Sequence, residues 1–426
     1  MEKLSPKHMA RSKEAAAQIF DVAKSLPLLR SVNWDDGLRT KFLASGTLPA
    51  PEYLTVDTSG ATDAIASARA KLDGDHVLTQ WLGRLCDTMT SQVGLLQSRG
   101  TPEFLEHSIA LFGKPKQFML DQTTRVLDLA VHMDKSLADL DFDKLVVEGY
   151  QKFLTAPEFT KALRGRLVPH FGKDAPSVKI EANLSAKALA GVSRIRVRKG
   201  AVFTARDVDQ LLQHEALVHV ATALNGRAQN HFEILGRAHA GTTEVQEGLA
   251  VFAEIISGAM DPKRFRRLAD RVIAINMAIE GADFKEVYDF YYSRVDDMEL
   301  AYDDTRRVFR GGVIKGGAPF TKDMVYLNGL LRVHNYMRSV VKLGRADLIR
   351  IAFIGKLDIE DLPAIAYLAG EGELKAPVFM PPWAKDLRFL VSYLAYSSFL
   401  NQVKMPGFQR YYKEALKDVP VIWNFT

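Results

Sequence analysis

The stretch that decides the reading runs Thr204-Ala205-Arg206-Asp207-Val208-Asp209-Gln210-Leu211-Leu212-Gln213-His214-Glu215-Ala216-Leu217-Val218-His219. Thr204 with Asp207 three residues on has the form of a capping box, so a helix is expected to start there. Val208, Leu211, Leu212 and Leu217 supply its apolar stripe, which places His214 and His219 well inside the helix. Two imidazoles can bind a divalent ion, and a carboxylate beside the first can take a proton from a water. The spacing is His-Glu-x-x-x-His. At ~100° per residue, positions i and i+5 stand about 140° apart on a regular α-helix, against about 40° for i and i+4. A π-bulge between His214 and His219 would return both rings to one face, and such a distortion is therefore predicted.

A third ligand is sought downstream. Thr243 and Gln246 have the form of a second capping box, so a further helix is expected from there, with Glu247 in its first two turns. Gly248 beside it would admit a close neighbouring helix. Glu247 is the leading third ligand, with Glu244, Glu254, His231 and His239 as rivals. Two histidines and one glutamate leave a fourth position open for water, as hydrolytic zinc sites require. Glu254, seven residues beyond Glu247 on the same face, suits a supporting contact to a ligand.

Outward from this segment the pattern is mostly helical. Apolar residues at spacings of three and four mark helices at about 8–25, 78–98, 101–112, 122–137 and 143–154, the third with Thr101 as N-cap and Pro102 at its first position. Val178–Ala182 and Arg194–Arg198 alternate apolar and polar residues, as half-buried strands do. The arginines at 194, 196 and 198 suggest an exposed edge strand, able to pair with an extended peptide. After the site segment, helices are expected at about 243–258, 262–280, 283–294, 298–309, 322–341 and 357–368, and again from about 385 to 415. The expected class is mainly α with a small β-sheet. The expected division is an N-terminal helical region over 1–165, a catalytic core over 166–375 and a C-terminal helical segment over 376–426.

Composition narrows the function. Of 426 residues, 56 are basic and 51 acidic, a net charge of +5 that is too weak an excess to argue for nucleic acid. The densest basic run, Lys263-Arg264-Phe265-Arg266-Arg267, falls on an amphipathic pattern and is expected to be a solvated helix face. One cysteine, Cys86, excludes an intrachain disulfide and suits buried packing. With no apolar run of signal-peptide or membrane-span length, a cytoplasmic protein is expected.

The quoted residues, with Gln246-Glu247-Gly248-Leu249-Ala250, resemble the bacterial QEGLA-motif family, labelled flavohemoglobin expression-modulating. That family is similar to the microtubule-associated tyrosine carboxypeptidases, which remove the C-terminal tyrosine of α-tubulin. The likeness extends to Arg307-Val308-Phe309-Arg310-Gly311-Gly312 and to Phe320-Thr321-Lys322-Asp323-x-x-Tyr326-Leu327-x-Gly329, and spans about residues 178–340. It implies a zincin-like metallopeptidase core holding one Zn2+, with His214, His219 and Glu247 as ligands and Glu215 as catalytic base. It implies a carboxypeptidase acting on the C-terminus of a peptide or protein, with tyrosine or another aromatic residue last. The tubulin substrate itself does not carry over to a bacterial member. A carboxypeptidase must hold a terminal carboxylate, for which Arg307, Arg310 and Lys322 are candidates, the last at a helix start capped by Thr321. Tyr326 is placed to donate to a developing oxyanion. The alternatives are a dipeptidyl-peptidase-like zinc hydrolase, which shares the longer spacing, and a non-enzymatic regulator whose closed metal site adds His231 or His239.

Overall fold

The computed structural model describes residues 3–138, 140, 153–182, 184, 187–191, 193–400, 405–415 and 417. Its helices of nine residues or more are α1 (Pro6–Ser25), α2 (Asp36–Ser45), α3 (Ser59–Arg69), α4 (Val77–Gln97), α5 (Phe104–Phe112), α6 (Val126–Ala138) and α7 (Ala156–Phe171). Next comes a long composite helix, α8. It is α-helical over Ala205–Leu211, π-helical over Leu212–Val220 and α-helical again over Ala221–Arg227. The rest are α9 (Ala240–Ile256), α10 (Pro262–Ile279), α11 (Phe284–Val295), α12 (Met298–Phe309), α13 (Met324–Lys342), α14 (Leu362–Gly370), α15 (Arg388–Leu400) and α16 (Met405–Ala415). The chain is mainly α-helical with few strands, as its periodicity predicts.

Three strands of four or five residues, β1 (Ser177–Glu181), β2 (Ala188–Gly191) and β3 (Arg194–Arg198), form one sheet in the order β1-β3-β2. β3 is therefore central, not the edge that its arginines suggest. It pairs in parallel with β1 (Val178 opposite Ile195) and antiparallel with β2 (Ala190 opposite Ile195). The alternation reports only the faces of the sheet. Ile195 and Val197 point into a core with Phe159, Leu163 and Phe203, while the arginines face outward. The free edge nearer α8 is β2, which packs on the π-helical turn.

Several expected boundaries move. The helix after Thr101 begins at Phe104, because Thr101 and Pro102 form a preceding turn in which the Phe104 N–H donates to the Thr101 carbonyl. The helix expected over 143–154 lies almost wholly outside the described residues, and Phe153–Leu154 pairs as a strand with Phe203–Thr204. α2, α3 and α7 were not expected at all. α7 carries a complete capping box between Thr155 and Glu158, a signal that periodicity alone passed over.

The N-terminal helices do not stand apart. α1, α3 and α4 share a core with Phe232, Ile234 and Leu235 and with α14. The hydroxyl and carbonyl of Ser108, on α5, bind the backbone N–H and the hydroxyl of Thr321. Trp34 and Phe42 enter the largest core, built on α9 to α13, which also takes in Leu390 and Leu394 of α15. Cys86 is buried and free. No helix among the described residues is long and apolar enough to cross a membrane.

Candidate metal centre

The capping box at the start of α8 forms as its sequence predicts. The Asp207 N–H donates to the Thr204 hydroxyl at 3.2 Å, and the Thr204 N–H donates to the Asp207 carboxylate at 2.7 Å. Seven residues on, the helix widens into a π turn over Leu212–Val220, spanning both histidines. The imidazoles that a regular helix would splay lie with ring centroids 5.0 Å apart, edge to face.

Glu247 enters from α9, which packs across the π turn. Its Oε2 lies 3.3 Å from Nε2 of His214 and 3.7 Å from Nε2 of His219. One ligand atom from each of the three residues falls within 4.8 Å of the others. Ligands about 2.0–2.2 Å from one tetrahedral zinc ion would stand roughly 3.3–3.5 Å apart, so the donor set fits a zinc ion in spacing and in kind. Glu247 Oε2 is buried and receives no hydrogen bond among the described residues, which leaves an acceptor facing two ring nitrogens across a gap. Burial opposes ionisation of Glu247, but the two imidazoles and the Lys322 charge hold its carboxyl well below the usual range.

The rivals of Glu247 are otherwise engaged. Glu244 is bound by Asn328 and Arg332 of α13. His239 is buried as the N-cap of α9, which begins at Ala240 and not at the predicted Thr243. Thr243 instead donates to the His239 carbonyl from inside the helix. His231 is exposed, in a left-handed backbone conformation. Among the described residues no fourth histidine, cysteine or carboxylate joins the cluster.

Glu254 makes the supporting contact expected of it, with Oε1 2.6 Å from Nδ1 of His214. It is fully buried. Arg264 closes on it through Nε and Nη2, at 2.5 and 2.7 Å. Arg264 belongs to the run expected on a solvated face. That expectation is corrected, since Arg266 also reaches a partner, Asp134, at 3.1 Å. Burial opposes the charged imidazolium of His214, yet Glu247, Glu254 and Glu215 outweigh it and push its pKa up to about 10. Three carboxylates thus demand a cation at this ring, whether a proton or a metal ion.

Glu215 makes no hydrogen bond or ion pair among the described residues and is only partly buried, so its carboxylate is free to accept a proton. A lysine that the sequence did not single out, Lys356, is 6% exposed and donates to Oε1 of Gln246 at 2.9 Å. Burial pushes its pKa down to about 8, against the pull of Glu247 and Glu215. It sits far from the motif in sequence, in a loop with no pattern of its own.

The profile of the microtubule-associated tyrosine carboxypeptidase family matches residues 40–402. The chain belongs to that family. The match reaches well upstream of the resemblance legible in the motifs, running from the middle of α2 to just beyond α15. No curated protein matches the chain.

The second family segment surrounds Tyr326 on α13. Arg271, Arg307 and Lys322 face its ring at 4.3, 5.9 and 5.5 Å from the centroid. Arg307 closes its fork on Asp323 at 2.6 and 2.8 Å, and Nη2 donates to the Tyr326 hydroxyl at 3.3 Å. Thr321 does not cap a helix as predicted. Residues Thr321–Asp323 form a 3-10 turn, α13 starts at Met324, and the Thr321 hydroxyl is turned to Ser108.

α13 meets α9 backbone to backbone. A Cβ on Gly248 would lie 2.2 Å from the Gly329 carbonyl carbon, and one on Gly329 would lie 2.1 Å from the Glu244 oxygen. Gly248→Val should therefore force the helices apart and destabilise the chain by about 1–3 kcal/mol, with weaker metal retention, as urea melts and metal analysis would read. An unchanged melt would remove this role for Gly248.

Proposed function

We propose that this chain is a zinc-dependent carboxypeptidase of the cytoplasm, releasing the last residue of a peptide or protein. The observation that carries this is the convergence of His214, His219 and Glu247 Oε2, with the free carboxylate of Glu215 next to the first ligand. Family membership supplies the reaction class, and the family's name supplies an aromatic last residue as the substrate to test first.

His214 and His219 would hold the ion from α8 and Glu247 from α9, in a zincin-like arrangement, with Glu254 and Arg264 fixing the His214 ring. A bound zinc ion supplies Lewis acidity to a scissile carbonyl and to a nucleophilic water. Glu215 accepts the water's proton and passes it to the departing amine. Tyr326, whose hydroxyl accepts from Arg307, keeps its own proton to donate to developing negative charge. A non-enzymatic, closed metal site is less well supported, because His231 and His239 lie outside the cluster.

The purified protein is expected to carry about one zinc per chain by mass spectrometry, and His214→Ala/His219→Ala about none. Stripping the metal should lower the melting temperature of the wild type and leave the double variant unmoved. Absence of metal from wild-type protein supplied with zinc would overturn the reading. A panel of peptides differing only in the last residue then tests specificity. Release of N-terminal dipeptides instead would favour the dipeptidyl-peptidase alternative.

A further inference from the structure

The two halves of α8 are anchored by different parts of the molecule, and the π turn lies between the anchors. A π turn carries one residue more than the α turn it replaces. Were it to relax to α, one half of the helix would rotate by about 100° against the other and shift by about 1.5 Å. The N-terminal half is fixed by the capping box of Thr204 and Asp207 and by Val208 and Leu211, buried in the core that backs the sheet.

The C-terminal half is fixed by two buried side-chain amides. Asn225 is 3% exposed and Gln229, just past the helix end, 2%. Asn225 Nδ2 donates to the carbonyls of Phe353 and Phe379, at 2.8 and 2.6 Å. Its Oδ1 accepts from the N–H groups of Val378 and Phe379, both at 3.0 Å. Every donor and acceptor of that amide is in use. Gln229 pairs with Lys375 in the same way, Oε1 accepting from its N–H at 2.8 Å and Nε2 donating to its carbonyl at 3.1 Å. Each amide exchanges bonds with a backbone residue as a neighbouring strand does, so the irregular segment 375–379 is laced along the end of α8. Phe379 packs on the core that also holds Leu212, Ala216 and Leu217 of the π turn.

Two further contacts fix the same half. A Cβ on Gly226 would lie 2.0 Å from the Leu235 carbonyl oxygen, so the helix rests there against backbone. The Thr222 hydroxyl donates at 2.8 Å to Oε1 of Gln246, the residue before Glu247. A rotation of α8 would break all of these together. Buried polar groups satisfied to this degree specify one arrangement.

We propose that Asn225 and Gln229 are positioning residues for the metal centre: by fixing the rotation of α8 beyond the π turn they keep the extra residue in it, and so hold His214 and His219 on one face before any ion binds. This rests on the reading of the two histidines as zinc ligands. Both amides act through the helix and not on the ion.

Metal-free wild type gives the first test. Its crystal structure should keep the π turn over Leu212–Val220. A regular α-helix there would show that the ion imposes the turn, and would overturn the proposal. Asn225→Leu and Gln229→Met remove the amides at similar volume. Each should weaken zinc binding about 10- to 100-fold in competition with a chelator, read well below the melting temperature. A lowered melt with zinc affinity unchanged would make the amides structural only and refute the idea. Deletion of Ala216 supplies the rescue. It leaves the spacing His-Glu-x-x-His, which a regular helix places on one face with both halves of α8 still in register. In that background Asn225→Leu should bind zinc as tightly as the deletion alone, the comparison isolating register from stability. An equal loss in both backgrounds overturns the register account. Should the leucine variant fail to fold, Gln229→Met in the same two backgrounds and the metal-free wild type still decide. Wild type that takes up no zinc overturns the metal reading, a result distinct from failure of the anchors, in which wild type and variants bind alike.

Discussion

Glu215→Gln should retain a full equivalent of zinc and lose peptide hydrolysis by about 10²–10⁴-fold, the usual contribution of a positioned general base. The π turn brings the two histidines to one face without engaging the residue between them, and Glu215 has no partner to lose among the described residues. The amide has the shape of the acid but accepts no proton at neutral pH. His214, His219 and Glu247 keep their positions, so metal content and melting temperature should stay at wild-type values while turnover falls. Metal analysis beside a chromatographic peptide assay reads both quantities on one preparation. Near-full activity in this variant would remove Glu215 from the chemistry, and loss of the metal would make it a ligand.

Glu254→Ala should be the most damaging single change outside the ligands. The carboxylate has no exposed surface, orients His214 through Nδ1, and receives two donors from Arg264 and one from Gln210 at 3.3 Å. Its removal leaves Arg264, half-buried, without its ion-pair partner and the His214 ring free to turn. Breaking a buried ion pair from one side costs about 3–5 kcal/mol. Loss of a carboxylate behind a metal-bound histidine typically weakens metal affinity about 10- to 100-fold. Urea melts of the metal-free protein isolate the first effect, and competition with a chelator measures the second. Unchanged zinc affinity would show that His214 is oriented by something other than Glu254.

What the sequence made legible was local and periodic. The spacing from His214 to His219 is incompatible with one face of a regular helix, and that arithmetic alone predicts the π turn. Alternation at 178–182 and 194–198 predicts strands, and Glycine 248 beside Glu247 predicts a close helix contact. What stayed hidden was set by partners distant in the chain. Arginines in β3 look the same on a central strand with one solvated face as on an edge strand, and pairing order decides between them. Thr243 has the chemistry of a cap, but the backbone had already become helical at Ala240, with His239 at the N-cap position. Arg264 sits in a run that reads as a wet surface until Glu254 is placed across from it. Lys356 carries no motif, and only burial beside Gln246 marks it out. Arg307, Arg310 and Lys322 are equivalent candidates as letters. Asp323, adjacent to one of them, separates them in space.

The touching backbones at Gly248 and Gly329 carry a consequence for the third ligand. One of these helices brings Glu247 to the candidate centre, and Lys322 lies in the 3-10 turn that leads into the other. With no side chain between the two backbones, the depth at which Glu247 stands is set by main-chain contact alone, and a side chain added at either glycine would displace the carboxylate together with its helix.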